Sequence, residues 1–296
     1  MTDSLRREDV SALEDPRLAD YRNLTDAELL ARRGRFIVEG RGNLRVLLSR
    51  SAFRPESILL GEAAFTALRA DLAVFAREIP IFVAPQPVLD GVVGFKIHRG
   101  ALAACLRPPP RNPDALAGEV LARFPRARVV VLEGVRDADN VGGVFRNAMA
   151  LGARAVFECD RSCDPLYRKA IRTSMGGALC VPFARTGELI GFLGRLRAAG
   201  FSIWAFDPKA PGDELGGFAP RASGPVALLL GTEGEGLSEA ALSAADRRVR
   251  IAMEPDVDSL NVATAAAIGL HVLRGSADGS AGGTVAGNAG REESGG

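Results

Sequence analysis

The chain has 296 residues, 47% of them hydrophobic and 25% charged, and its formal net charge is +1. These proportions exclude a wholly disordered or fibrous protein, and the length suits about two domains. The longest uncharged apolar-rich run, 259–273, contains Asn261 and His271 and falls short of the roughly 20 residues a membrane span needs. No membrane partner is expected. The first residues, MTDSLRREDVSALEDPR, have no apolar core, so no signal peptide is expected and a cytoplasmic location follows. Cys105, Cys159, Cys163 and Cys180 make neither a disulfide framework nor a zinc pattern, so no metal is expected.

Residues 1–20 are charged and lack apolar periodicity, which predicts a loose arm. Thr25-Asp26-Ala27-Glu28 has the form of a capping box opening a short helix. Next come a strand at 35–39, a helix at 43–49, a strand at 57–60, a helix at 63–71, and strands at 79–84 and 101–106. Residues 21–106 thus read as a small α/β domain. The segment 107–113, RPPPRNP, suits neither a helix interior nor a central strand and reads as a semi-rigid linker.

Beyond the linker, apolar runs at 128–132, 155–157, 179–183, 201–206, 226–230 and 248–251 alternate with helical stretches at 141–151, 166–174 and 189–199. Continuous Val/Leu/Ile runs between helices point to a parallel sheet buried on both faces. A last helix is expected at 261–274. The remainder, 275–296, is rich in Gly, Ser and Ala and reads as a disordered tail.

Ligands of open parallel sheets bind beyond the carboxyl ends of the strands. Three such ends carry unusual residues. DADNVGGVFRN at 137–147 offers Asn140 as a helix N-cap, with Arg146 expected on roughly the same face. LGTEGEGLS at 230–238 has three glycines that let backbone approach a ligand. Its spacing is not the dinucleotide one, and Glu233 and Glu235 would repel a pyrophosphate. RIAM at 250–253 and DSLNVATA at 258–265 place Ser259 and Asn261 at the mouth of an Ala-rich helix.

The order N-x-G-x-x-x-R, LGTEGEGLS, IAM and SLNVATA over residues 127–274 resembles the three signature motifs of the SpoU (TrmH-like) RNA ribose methyltransferases. Asp164-Pro165 and Arg172-Thr173-Ser174-Met175-Gly176 also match. FIVEG at 36–40 is similar to the family's RNA-binding domain, which has a ribosomal-protein L30e-like fold. Two departures are Ala252, where the family usually has Pro, and Thr232, where Asn or Ser is commoner.

The resemblance implies an α/β, trefoil-knotted SPOUT domain at 114–274, homodimerising through the knot, behind an L30e-like domain. It implies 2′-O-methylation of ribose in structured tRNA or rRNA with S-adenosylmethionine as cofactor. Gly231, Thr232, Gly236, Ile251, Met253 and Leu260 would hold the cofactor. Arg146, Asn140, Glu233, Ser259 and Asn261 would form the catalytic set. Glu233 is expected to accept backbone N–H bonds within its loop and could pair with Arg146. A non-catalytic RNA-binding knot protein is the alternative.

Positive charge is concentrated at 21–50, where seven arginines face three carboxylates. Arg32, Arg33, Arg41 and Arg45, with Lys96, His98 and Arg99, are the candidate RNA contacts, since phosphate neutralisation carries much of nucleic-acid affinity.

Overall fold

A computed structural model describes residues 5–22, 25–75, 79–93, 100–210, 214–218 and 223–277. The first half contains β1 (Arg7–Asp9), α1 (Asp26–Arg33), β2 (Arg35–Glu39), α2 (Arg41–Arg50), β3 (Pro55–Leu60), α3 (Glu62–Phe75), β4 (Ile81–Val83), α4 (Gln86–Val93) and β5 (Ala101–Leu106). Its strands form one sheet in the order β1-β4-β3-β5-β2. β5 runs antiparallel to both β2 and β3.

The second half begins with α5 (Pro113–Arg123), β6 (Arg128–Leu132), α6 (Ala138–Leu151), β7 (Val156–Glu158), α7 (Arg168–Thr173) and β8 (Phe183–Arg185). It continues with α8 (Leu189–Ala198), β9 (Ser202–Phe206), α9 (Leu215–Phe218), β10 (Val226–Leu230), α10 (Glu239–Ala244), β11 (Arg247–Val249) and α11 (Val262–Ala277). Its sheet has the order β11-β9-β10-β6-β7-β8, with every pairing parallel. The centre is β10 beside β6, and all residues of both strands are buried. Burial on both faces is what their unbroken Val/Leu runs dictate.

The two sheets share one apolar core. Phe36, Val38, Leu44 and Leu47 from the first half belong to the same buried cluster as Phe145, Ile171 and Leu179 from the second. Polar contacts stitch the seam. The Arg168 backbone N–H donates to Asp26 at 2.9 Å, and Ser51 Oγ donates to the Leu179 carbonyl at 2.9 Å.

Several sequence expectations need correction. From Leu5 onward the expected loose arm is ordered: Arg7–Asp9 pairs in parallel with β4, and Val10 and Leu18 are buried, as is Tyr21 just beyond it. A polar edge strand is held by backbone bonds, which composition does not register, while isolated Leu18 and Tyr21 supply the anchors. Pro113 does not end a linker. It occupies the first turn of α5, with Asn112 accepting from the Ala115 N–H at 2.9 Å, a position where a missing N–H costs nothing. The run 179–183 is not a strand. A 3-10 turn at Gly177–Leu179 buries Ala178 and Leu179, and β8 starts at Phe183. A short apolar run fits either structure. Finally, α11 continues to Ala277, past the predicted end at 274; residues 278–296 lie outside the described residues.

Candidate functional site

The loops after β6, β10 and β11 meet at one end of the parallel sheet. Glu133 follows β6 and is nearly buried. Its N–H donates to the Leu230 carbonyl at 2.9 Å, and its Oε2 accepts the Ser238 N–H at 2.9 Å. Glu133 therefore ties the start of one loop to the far end of the next. Glu233 is the anchor expected from the sequence; the carboxylate that ties the loop down from outside is Glu133. Its position just after a strand was visible, but nothing in the sequence paired it with Ser238.

The helix after this loop is capped by Asp137, whose side chain accepts from the N–H groups of Asp139 and Asn140 at 2.7 and 3.1 Å. Asn140 is thus not the N-cap. It lies inside the first turn of α6, buried, and is free to act sideways. Asn261 Nδ2 donates to Asn140 Oδ1 at 2.7 Å and to Glu233 Oε1 at 2.9 Å. Asn261 Oδ1 also accepts the Ala263 N–H at 2.9 Å, capping α11 as expected. One amide thereby joins all three loops.

Close helix packing holds that amide in place. A side chain at Gly143 would put its Cβ 2.7 Å from the Cβ of Ala263. Asn147, seven residues after Asn140, donates from Nδ2 to the Ala263 carbonyl at 2.7 Å. Seven residues advance a helix by about 700°, returning to the same face. Asn140, Gly143 and Asn147 thus form the stripe of α6 that receives α11. Asn147 was missed in the sequence, although this spacing marks it.

Six residues give about 600°, an offset of roughly 120°. Arg146 accordingly does not share the face of Asn140. It is exposed, and no ion pair or hydrogen bond engages its side chain among the described residues. The anticipated Arg146–Glu233 pair is absent; Glu233 is held by Asn261 instead. Ser259 is also exposed and is not part of the amide network.

The glycine loop closes on itself. Thr232 and Gly236 form an antiparallel bridge, the Gly236 N–H donating to the Thr232 carbonyl at 3.1 Å. A Cβ at Gly231 would lie 2.3 Å from the Gly236 carbonyl carbon. The loop's own backbone therefore excludes a side chain at Gly231. Gly236 has open space around it, but its φ of +73° favours glycine.

Beside this loop, Ile251, Met253 and Leu260 are half-buried, while the backbone between them is irregular. Among the described residues, no internal hydrogen bond engages the backbone of Ile251, Ala252, Met253 or Leu260. This end of the sheet therefore has backbone donors and acceptors without an internal partner beside half-buried apolar side chains.

Three of the seven candidate RNA contacts already have partners. Arg32 lies 3.5 Å from Glu28, Arg33 pairs with Asp20, and Arg45 lies 3.2 Å from Asp71. Arg41 is half-buried in the first turn of α2. Lys96, His98 and Arg99 lie outside the described residues.

Burial and the nearby carboxylates of Asp164 and Glu158 push the Cys163 thiol up to about 12, and burial also raises Cys105. Both stay protonated near neutral pH. Among the described residues no cluster of His, Cys, Asp and Glu could hold a metal, and no helix is long and apolar enough to cross a membrane.

An all-parallel sheet with three conjoined loops at its carboxyl end defines a ligand-binding α/β protein. Residues 127–271 match the SpoU rRNA Methylase family. An uncharacterised tRNA/rRNA methyltransferase of Mycobacterium tuberculosis is 40% identical over 279 residues, covering 91% of this chain and 92% of that protein. The chain belongs to the SpoU family of RNA methyltransferases. An AdoMet-bound rRNA methyltransferase from Sinorhizobium meliloti has a similar fold, with TM-score 0.75 and 23% identity over 91% of this chain and 98% of its own. The SpoU methyltransferase AviRb from Streptomyces viridochromogenes, solved with AdoMet, gives TM-score 0.73 and 21% identity over 88% and 97%. An RNA 2′-O ribose methyltransferase gives TM-score 0.73 and 24% identity over 91% and 99%.

Proposed function

We propose that this protein transfers a methyl group from S-adenosylmethionine to a ribose 2′-hydroxyl in structured tRNA or rRNA. The observation that carries the reading is the Asn261 amide, bonded to Asn140 and Glu233 across all three motif loops. The loops would hold the cofactor through the free backbone of 251–253 and 260, with Thr232 and Gly236 beside it. When bound, S-adenosylmethionine supplies an electrophilic methyl on a sulfonium. The remaining work is orientation of the ribose and stabilisation of charge on its oxygen.

Arg146 suits the second task. A guanidinium stays protonated at any working pH, so it is no general base. Exposed and without an internal partner, it is available to grip the phosphate beside the target ribose and to stabilise the developing alkoxide. A phosphate oxygen or water would take the proton. Asn140 and Asn261 would fix the loop geometry, and Ser259 would orient the ribose. The reading extends to an L30e-like RNA-binding unit at 21–106, a trefoil knot and homodimer within 114–274, and a cytoplasmic setting.

The test combines calorimetry of S-adenosylmethionine binding with methyl transfer to bulk tRNA and to rRNA, followed by mapping of 2′-O-methyl positions. Arg146→Ala is expected to abolish transfer while cofactor affinity stays within a few-fold. Arg146→Lys should rescue poorly, since an ammonium lacks the planar bidentate contact. Wild-type protein that binds RNA but neither cofactor nor methyl groups would establish the non-catalytic alternative.

A further inference from the structure

The opposite rim of the six-stranded sheet carries its own cationic cavity of about 450 Å³. Arg123 closes α5, Arg126 stands in the turn before β6, Arg154 lies in the turn before β7, and Arg274 lies in the last turn of α11. All four are exposed, and no carboxylate lines the cavity. Among the described residues no ion pair engages any of them. This contrasts with Arg7, Arg17, Arg111, Arg195 and Arg197, each held by an acidic partner.

The floor is pre-arranged. The Arg154 guanidinium sits 4.0 Å from the centroid of the Phe124 ring, with Arg123 5.3 Å from the same ring. A stacked, planar guanidinium loses little further freedom on gripping an oxyanion. Arg128 beneath them is buried and donates to the carbonyls of Arg126 and Gly224 at 2.9 and 2.8 Å. It therefore supports the floor rather than a ligand.

Arginines at helix ends also balance helix dipoles, so the charges must be compared. The C-terminal ends of α5, α6 and α11 contribute roughly −0.5 each. Together that is roughly −1.5 against four exposed guanidinium groups, leaving an excess of roughly +2.5. Dipole neutralisation does not consume the patch.

We propose that this cavity is a second phosphate-binding site, one that holds the backbone of the RNA substrate away from the reacting ribose. The inference rests on the RNA methyltransferase reading above. β6 separates this rim from the motif loops by five residues, or roughly 13 Å at strand rise. An RNA gripped at both ends of the sheet is therefore read over several phosphates. The patch uses none of the arginines at 21–50.

The test uses the full-length protein, Arg154→Glu/Arg274→Glu, the neutral Arg154→Ala/Arg274→Ala, and a charge-matched control, Arg111→Glu/Arg195→Glu. End-labelled bulk tRNA and rRNA are titrated across a salt series, with S-adenosylmethionine affinity measured in parallel. The two cavity variants should weaken RNA binding about tenfold or more and reduce the salt slope by about 0.7–0.9 per lost contact. Cofactor affinity should not change, and the control should stay near wild type. RNA affinity and slope equal to wild type in the alanine pair would overturn the proposal, as would an equal loss in the control. Inorganic phosphate alone is the second probe. Protection from thermal unfolding by phosphate, lost in the alanine pair while RNA affinity is kept, would assign the cavity to a free anion and overturn the RNA assignment. If wild-type protein fails to methylate any RNA, the functional reading fails; if wild type and alanine pair methylate alike, only this inference does.

Discussion

The side-chain amide of Asn261 faces two ways: its nitrogen bonds Asn140 and Glu233, while its oxygen caps the helix that follows. These roles separate by substitution. Asn261→Asp keeps the capping oxygen but cannot donate, and it brings a carboxylate against Glu233. The cap itself should be kept, because Asp and Asn cap alike, but the orphaned Asn140 oxygen should cost about 1–3 kcal/mol, and transfer should fall by roughly 100-fold as the loops lose their alignment. Asn261→Ala should lose both, including about 1 kcal/mol of cap stability. Melting curves and single-turnover methyl transfer check the pair. Equal transfer by Asn261→Asp and wild type would remove Asn261 from the site.

The buried strands were legible because unbroken runs such as Arg128–Leu132 and Val226–Leu230 fit little else. The candidate loops were legible because Gly, Asn and Ser cluster where such strands end. What joins them was not. The Asn140–Asn261 bond spans 121 residues of sequence and the Glu133–Ser238 bond spans 105, and no local periodicity encodes either. The expected arm at 1–20 departs from its reading for a different reason. Its strand is satisfied by β4 through main-chain groups, whereas the side chains of Arg7 and Asp9 give the polar pattern of a solvated segment. Helix geometry alone puts Arg146 away from Asn140.

Gly231 and Gly236 should respond differently to the same methyl group. At Gly231 the Cβ would collide with the carbonyl carbon of Gly236 at 2.3 Å, so Gly231→Ala must open the loop. At Gly236 nothing lies within 4 Å and only the left-handed backbone is disfavoured, at about 1–2 kcal/mol. Calorimetry should find cofactor binding lost in Gly231→Ala and retained, though weaker, in Gly236→Ala. The reverse order would show that Gly236 contacts the ligand and Gly231 does not limit the loop.

Gly143 and Ala263 offer a rescue experiment. Gly143→Ala would set two Cβ atoms about 2.7 Å apart and wedge α11 away from α6. Overpacking of this kind costs about 1–3 kcal/mol, and here it also stretches the Asn140–Asn261 bond. Gly143→Ala/Ala263→Gly removes the collision. Stability and methyl transfer should both recover toward wild type in the double variant. Simple addition of the two single-variant losses would mean that the helices do not meet at this point.

Glu158 makes stability depend on pH. It is fully buried at the end of β7, and neither carboxylate oxygen has a hydrogen-bond partner. Burial, and secondarily Asp164, hold its pKa well above the ordinary carboxylate value, against the pull of Arg185 and Arg107. Arg185 lies 3.7 Å away. A carboxyl whose folded pKa is raised stabilises the fold fully at pH below its unfolded value, and that contribution fades as pH rises through the folded value. Glu158→Gln keeps the shape and cannot ionise. Relative to wild type, it should therefore gain melting temperature steadily from pH 5 to pH 9, with the smallest difference at the acidic end. Arg185→Gln should act in the opposite sense, steepening the wild-type loss at high pH by removing the nearest compensating charge. Thermal melts of the three proteins across that range decide the matter. Parallel profiles would mean that Glu158 does not change its ionisation between the folded and unfolded chain.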